Sequence, residues 1–247
     1  PTPTPTPTPW PTPTPTATPV GAGGDQRALI LVNPSRLAGV FGAVAATQIM
    51  SRVFELADQP RVNGLVIQVD AAPAVAAAYT AWTADATTLL DNDKANAVAE
   101  SIRNLILPYL SLGRHIQHIV IVGDDRIIPF RRVPDRTDDP SVHEPTYALS
   151  VTLNTTAWSA LNDNLTLTDN YYADLSPTLW ARGELYLPDY GIGRLIETPD
   201  EIIGLIDGFL AAGGYKVERG LVTGYHFVQD SADRIKTTMQ SDGLITD

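Results

Sequence analysis

Ile119–Pro129 reads IVIVGDDRIIP, four apolar residues running directly into Gly123, Asp124 and Asp125. A strand buried on both faces of a parallel sheet has this continuous apolar character. Open α/β sheets bind their ligands just beyond the carboxyl ends of such strands. Acids at that position are therefore expected in or beside a site.

Upstream, Ala28–Val32 (ALILV) and Gly64–Val69 (GLVIQV, followed by Asp70) repeat the pattern, and Ile116–Val122 is the third strand. Between the first two, Asn33, Pro34 and Ser35 are helix-start residues, and Leu37, Phe41, Val44, Ala45, Ile49, Val53 and Leu56 recur at helical spacing. Between the second and third lie an alanine-rich helical stretch, Ala71–Trp82, and a helix with an apolar face of Val98, Ile102, Leu105, Ile106 and Tyr109. Strand, helix, strand, helix, strand predicts right-handed βαβ units. The expected fold class is α/β, doubly wound, with a mainly parallel sheet and helices on both faces.

Downstream, loop residues from Arg131 to about Thr168 mark an insertion, within which Tyr147–Leu153 (YALSVTL) alternates like a half-exposed hairpin strand. A fourth strand is expected to end near Arg194. Thr198, Pro199 and Glu201 form a capping box ahead of a helix bearing Ile202, Ile203, Ile206, Phe209 and Leu210. Gly220–Tyr225 predicts a short fifth strand and Ser231–Gln240 a further helix, after which another strand begins as the sequence stops. The expected domain is thus cut off at its carboxyl end, with an unpaired edge and exposed apolar surface.

Residues 1–24 are of another kind. Pro and Thr alternate from Pro1 to Pro19, broken only by Trp10 and Ala17, and Val20–Gly24 form a hinge. Such a tract closes no core and reads as an extended spacer, either a plain linker or one O-glycosylated on a secreted or wall-associated protein. Residues 25–247 form the folded part.

The net charge of -11 disfavours nucleic acid or an anionic membrane as the main partner. No apolar run reaches the ~20 residues that a spanning helix needs. The sequence opens on Pro1 with no signal peptide, so it reads as an excerpt, with any export signal upstream. Without cysteine, disulfides, thiolate metal sites and a Cys nucleophile are excluded within these residues. No serine-hydrolase elbow, zinc-protease helix or phosphate loop occurs, and Gly21, Gly23 and Gly24 precede the first strand, where a dinucleotide loop would follow it.

Among the histidines, His115 and His118 lie at the end of the third strand opposite the expected site, and His143 sits in a loop beside Glu144. His226 follows the fifth strand at the functional rim. Asp70, Asp124, Asp125 and Asp169, with Arg194, are expected on the same rim. Converging acids can orient an imidazole, bind a cation or hold a basic substrate side chain, and aspartates also simply cap helices and turns. Asn162, Asp163, Asn164 and Asp169 leave a structural calcium open without the EF-hand spacing. No metal site or other cofactor is assigned.

The ordered succession IVIVGDDRIIP, TDNYYADL (Thr168–Leu175), LPDYGIGRLIETPDEI (Leu187–Ile202) and LVTGYHFVQDSA (Leu221–Ala232) resembles the gingipain-like cysteine peptidases of the caspase-haemoglobinase fold, over roughly Ile116–Ala232. The resemblance implies an exported endopeptidase, extracellular or at the cell surface, acting on a protein or peptide substrate. Its Cys and His would follow the segment present here. It implies Asp124 as the acid that orients the catalytic imidazole, and Asp169 as a match to the acid that faces a basic substrate residue in Arg-specific members. Asp125 is left to serve the turn. His226 lacks the His-Gly context of the family's imidazole, so the chain alone is expected to be inactive. A non-catalytic adhesion or binding module on the same fold is the alternative, and a metal- or nucleotide-binding doubly wound domain a third.

Overall fold

The computed structural model describes residues 26–111, 115–136, 143–180, 183–214, 218–223 and 229–246. The Pro-Thr tract, Gly113 and His226 lie outside the described residues. The chain divides into two compact units, one running to Asp207 and the other from Gly208.

At the heart of the first unit is a sheet of β1 (Ala28–Val32), β2 (Gly64–Gln68), β3 (His118–Val122) and β8 (Gly191–Leu195), in the order β2-β1-β3-β8 and parallel throughout. All five residues of β1 are buried, so this central strand is covered on both faces, as its unbroken apolar run requires. The chain leaves β1 on one side to make β2 and returns across it to make β3. The carboxyl ends of β1 and β3 therefore flank the point where strand order reverses, the usual crevice of an open α/β sheet.

The helical spacing after β1 is divided between α1 (Pro34–Phe41) and α2 (Ala43–Ala57) by Gly42, whose φ of 88° no helix accommodates. Asn33 caps α1 by accepting from the Arg36 amide at 2.9 Å. Leu37, Ile49, Val53 and Leu56 are buried as expected, but Val44, on the first turn of α2, is 75 % exposed. Helix α3 (Pro73–Trp82) starts on Pro73, where a missing N–H costs nothing, and buries Val75, Tyr79 and Trp82. After the short α4 (Ala86–Leu89), α5 (Asn92–Ser111) buries Val98, Ile102 and Ile106.

The insertion is built differently from its expected hairpin. Its strands are its two ends, β4 (Arg131–Pro134) and β5 (Leu165–Thr168), paired antiparallel, with α6 (Thr156–Asn162) between them. Tyr147–Leu153 is not a strand. The amides of Thr146, Tyr147, Ser150 and Val151 bond back three residues into 3-10 turns, leaving Leu149 90 % exposed. Among the described residues its alternation has no neighbouring strand to pair with, and local bonds win. Then come α7 (Asn170–Ala173), the paired β6 (Thr178–Trp180) and β7 (Gly183–Leu185), and α8 (Pro199–Ala211) after β8. The predicted capping box is present: Thr198 N–H and Oγ1–H donate to Glu201, whose amide donates back to Thr198 Oγ1.

In the second unit, β9 (Arg219–Gly220) and β10 (Ile245–Thr246) pair parallel, with α9 (Gln229–Ser241) between them. Of the expected strand Gly220–Tyr225, only Gly220 lies in β9. Val222 and Thr223 are irregular, Leu221 is 74 % exposed, and Gly224 and Tyr225 lie outside the described residues. Among the described residues no helix is long and apolar enough to cross a membrane.

Candidate functional site

The turn after β3 begins at Gly123, whose φ of 102° suits glycine alone. A Cβ there would lie 2.7 Å from Ile127. Its N–H donates to Leu195 O on β8, and Asp124 O accepts from the amides of Ile127 and Ile128 at 3.0 Å each. The carbonyls of the residues that follow pair with no strand of the sheet, and side chains from five different elements take them up.

Arg126 O accepts from Arg36 Nε and Nη2 of α1 at 3.0 and 2.8 Å. Ile127 O accepts from the Tyr79 hydroxyl of α3 at 2.6 Å, and Ile128 O from Arg194 Nη1 of β8 at 2.7 Å. Pro129 O accepts from the Tyr172 hydroxyl of α7 at 2.5 Å, and Phe130 O from Arg132 Nη1 of β4 at 2.6 Å. Five successive carbonyls are each held by a long-range or strand-borne donor, and the donors are buried or half-buried. Such over-determination makes the turn a preorganised platform at the sheet's reversal point.

Each aspartate here has its own task. Asp124 Oδ1 accepts from the Arg126 amide at 2.9 Å, and Oδ2 from Arg126 Nε at 2.9 Å and Nη2 at 2.5 Å. Its side chain keeps 21 % of its surface exposed, so Asp124 is the acid of this turn that faces outward. The carboxylate in turn holds the Arg126 guanidinium above its ordinary pKa, chiefly through those hydrogen bonds. Asp125 points the other way. It accepts from the Phe130 amide at 2.8 Å and forms a two-pronged pair with Arg132 at 2.9 and 2.7 Å, both side chains almost fully buried.

Asp169, at the start of α7, receives Arg194 Nε at 2.9 Å and Nη2 at 2.5 Å. Arg194 also donates to Gly123 O at 2.8 Å, and its guanidinium lies 3.9 Å from the centre of the Phe130 ring. Burial works against the Arg194 charge, but the bonds and charge of Asp169 outweigh it and leave the guanidinium more strongly basic than usual. Asp70, in the 3-10 turn after β2, accepts from the Ser35 amide at 3.0 Å and so serves the start of α1, one residue from Arg36.

Asp124 on the turn and Asp169 and Arg194 beside it are thus brought together, with Asp70 joined to them through the α1 start. His226 lies outside the described residues. His118 packs its ring against Gly191 at the amino end of β3. Of the residues considered for calcium, Asp163 accepts from Asn92 at 2.8 Å, and Asp169 is held by Arg194. Among the described residues no group of three or more His, Cys, Asp or Glu side chains is positioned to hold a metal ion.

Arg36, Tyr79, Arg132 and Tyr172 are the members that local patterns miss. Tyr172 sits inside TDNYYADL, and Tyr79 is the one phenol of an alanine-rich helix, which is the only local sign of either. Burial pushes both phenols above their ordinary pKa, so they remain neutral donors. Chemically, the arrangement presents one partly exposed carboxylate on a fixed turn, paired with an Arg126 side chain that is 47 % exposed and can yield its place to a cationic or imidazole group. The chain matches no protein-family profile, no curated protein and no solved structure.

Proposed function

We propose that this chain is the amino-terminal part of the catalytic domain of an exported gingipain-like cysteine endopeptidase, with Asp124 as the acid that orients the catalytic imidazole. The observation that carries the reading is the braced turn at the carboxyl end of β3, which offers a single outward carboxylate at the sheet's reversal point. The parallel sheet of order β2-β1-β3-β8, flanked by helices, is compatible with that peptidase fold. The resemblance of the ordered motifs from Ile119 to Ala232 to that family is what supports the assignment.

In this reading the Cys and His come from sequence after residue 247. The thiolate attacks the peptide carbonyl, the imidazole takes and returns the proton, and Asp124 holds the imidazole in its productive tautomer. The substrate is a protein or peptide outside the cell. The test is the longer gene product that includes this chain. It should cleave unfolded protein, and alkylation of one cysteine should abolish cleavage. A product that binds surface proteins or glycans and cleaves nothing would establish the adhesion module instead.

A further inference from the structure

We infer that Arg194 and Asp169 are positioning residues, an internal clasp that fixes the turn bearing Asp124, and that the charge of Asp169 is spent within the chain and not on a cationic substrate side chain. The clasp follows from geometry alone. Only its consequence for specificity rests on the peptidase reading.

Arg194 spans the turn. Nη1 donates to Gly123 O, just before Asp124, and to Ile128 O, four residues after it. These two bonds join the ends of the segment from which the Asp124 carboxylate projects. The opposite edge of the guanidinium, Nε and Nη2, is saturated by the two oxygens of Asp169, and the flat face rests on Phe130. A guanidinium is the one side-chain group flat and forked enough to make these contacts at once. The pair is withdrawn from solvent, with 4 % of the Arg194 side chain and 14 % of the Asp169 side chain exposed. A cation arriving from outside would have to displace a partner that is already bidentate and buried. Asp169 therefore acts through Arg194, and Arg194 acts on the turn.

The test is amide hydrogen exchange of residues 123–130 in this chain, read by mass spectrometry against β1 and β3 as internal standards. In Arg194→Ala and in Asp169→Asn, exchange of the turn should rise on the order of 100-fold while the strands stay protected. Adding ethylguanidinium to Arg194→Ala should restore protection, and ethylammonium at the same concentration should not. Should the alanine variant fail to fold, Arg194→Lys takes its place, since one ammonium cannot bridge the same acceptors, and its turn should exchange on the order of 10-fold faster. Unchanged exchange at 123–130 in both Asp169→Asn and Arg194→Lys overturns the clasp.

In the longer product, Asp169→Asn should lower kcat by the same factor for peptides with arginine and with leucine at the cleaved position, leaving KM in place. A loss confined to arginine substrates and residing in KM overturns the specificity claim. If the longer product cleaves nothing, the peptidase reading falls and the exchange experiment still decides the clasp.

Discussion

Replacing Arg132 by Met removes the buried partner of Asp125 while keeping most of the apolar stem. Arg132 donates to both oxygens of Asp125, to Phe130 O, and at 3.3 Å to Asn92 Oδ1. Only 1 % of its side chain and 7 % of that of Asp125 are exposed. Without the guanidinium, the Asp125 carboxylate stays in the interior with the Phe130 amide as its remaining partner. Breaking a buried pair from one side costs about 3–5 kcal/mol, far more than the net worth of the pair, because a bare charge is left behind. At a urea slope of about 2 kcal/mol/M, the unfolding midpoint should fall by about 2 M with the slope unchanged. Asp125→Leu should cost a similar amount by stranding the guanidinium. The double variant Arg132→Met/Asp125→Leu removes both charges and should cost no more than either single change, a coupling of about 3 kcal/mol. Urea unfolding of the four proteins, followed by circular dichroism, measures all of it. Single-variant costs below about 1 kcal/mol, or strictly additive effects, would refute the reasoning.

Three further outcomes follow from the same structure. Gly123→Ala meets Ile127 at 2.7 Å and a φ of 102°, and should destabilise the chain by about 2 kcal/mol or more in the same urea assay. Tyr79 and Tyr172 are held neutral by burial, and burial, then the hydrogen bond with Glu184, push Tyr186 up to about 12. Below the unfolded value of about 10 these phenols are neutral in both states and stability is intact. As pH rises above it, the unfolded state ionises first, so stability falls through about 12, and the phenolate absorbance of Tyr79 and Tyr172 should appear only together with loss of the circular dichroism signal. Thr198→Ala removes the hydroxyl that accepts from the Glu201 amide and should cost about 1 kcal/mol, seen as a lower thermal midpoint.

The sheet was legible because its strands advertise themselves. Ala28–Val32, Gly64–Gln68 and His118–Val122 match expected strands to within two residues, since a strand buried on both faces needs a continuous apolar run. The capping box at Thr198 was equally plain, being a purely local device. Tyr147–Leu153 misled because alternation specifies a strand only where a partner exists to pair with it. The braced turn was half legible. Its glycine and aspartates lie in one short run, and Asp125 does serve the turn through the Phe130 amide. The donors that hold its carbonyls come from positions as distant as Arg36 and Arg194, and no periodicity relates such residues before the chain folds. Asp169 and Arg194 stood on the same expected rim, but their pairing across 25 residues is a fact of tertiary structure.

The central claim, that Asp124 on its fixed turn orients a catalytic imidazole, is tested most directly by Asp124→Asn in the longer gene product. Asparagine keeps an oxygen for the Arg126 amide and gives up only the two bonds from the exposed Arg126 guanidinium, so the backbone of the turn is held while the charge is lost. In Asp124→Asn, kcat for peptide cleavage should fall on the order of 1,000-fold with KM and the unfolding midpoint nearly unchanged. An Asp124→Asn protein that cleaves as fast as the parent would contradict it.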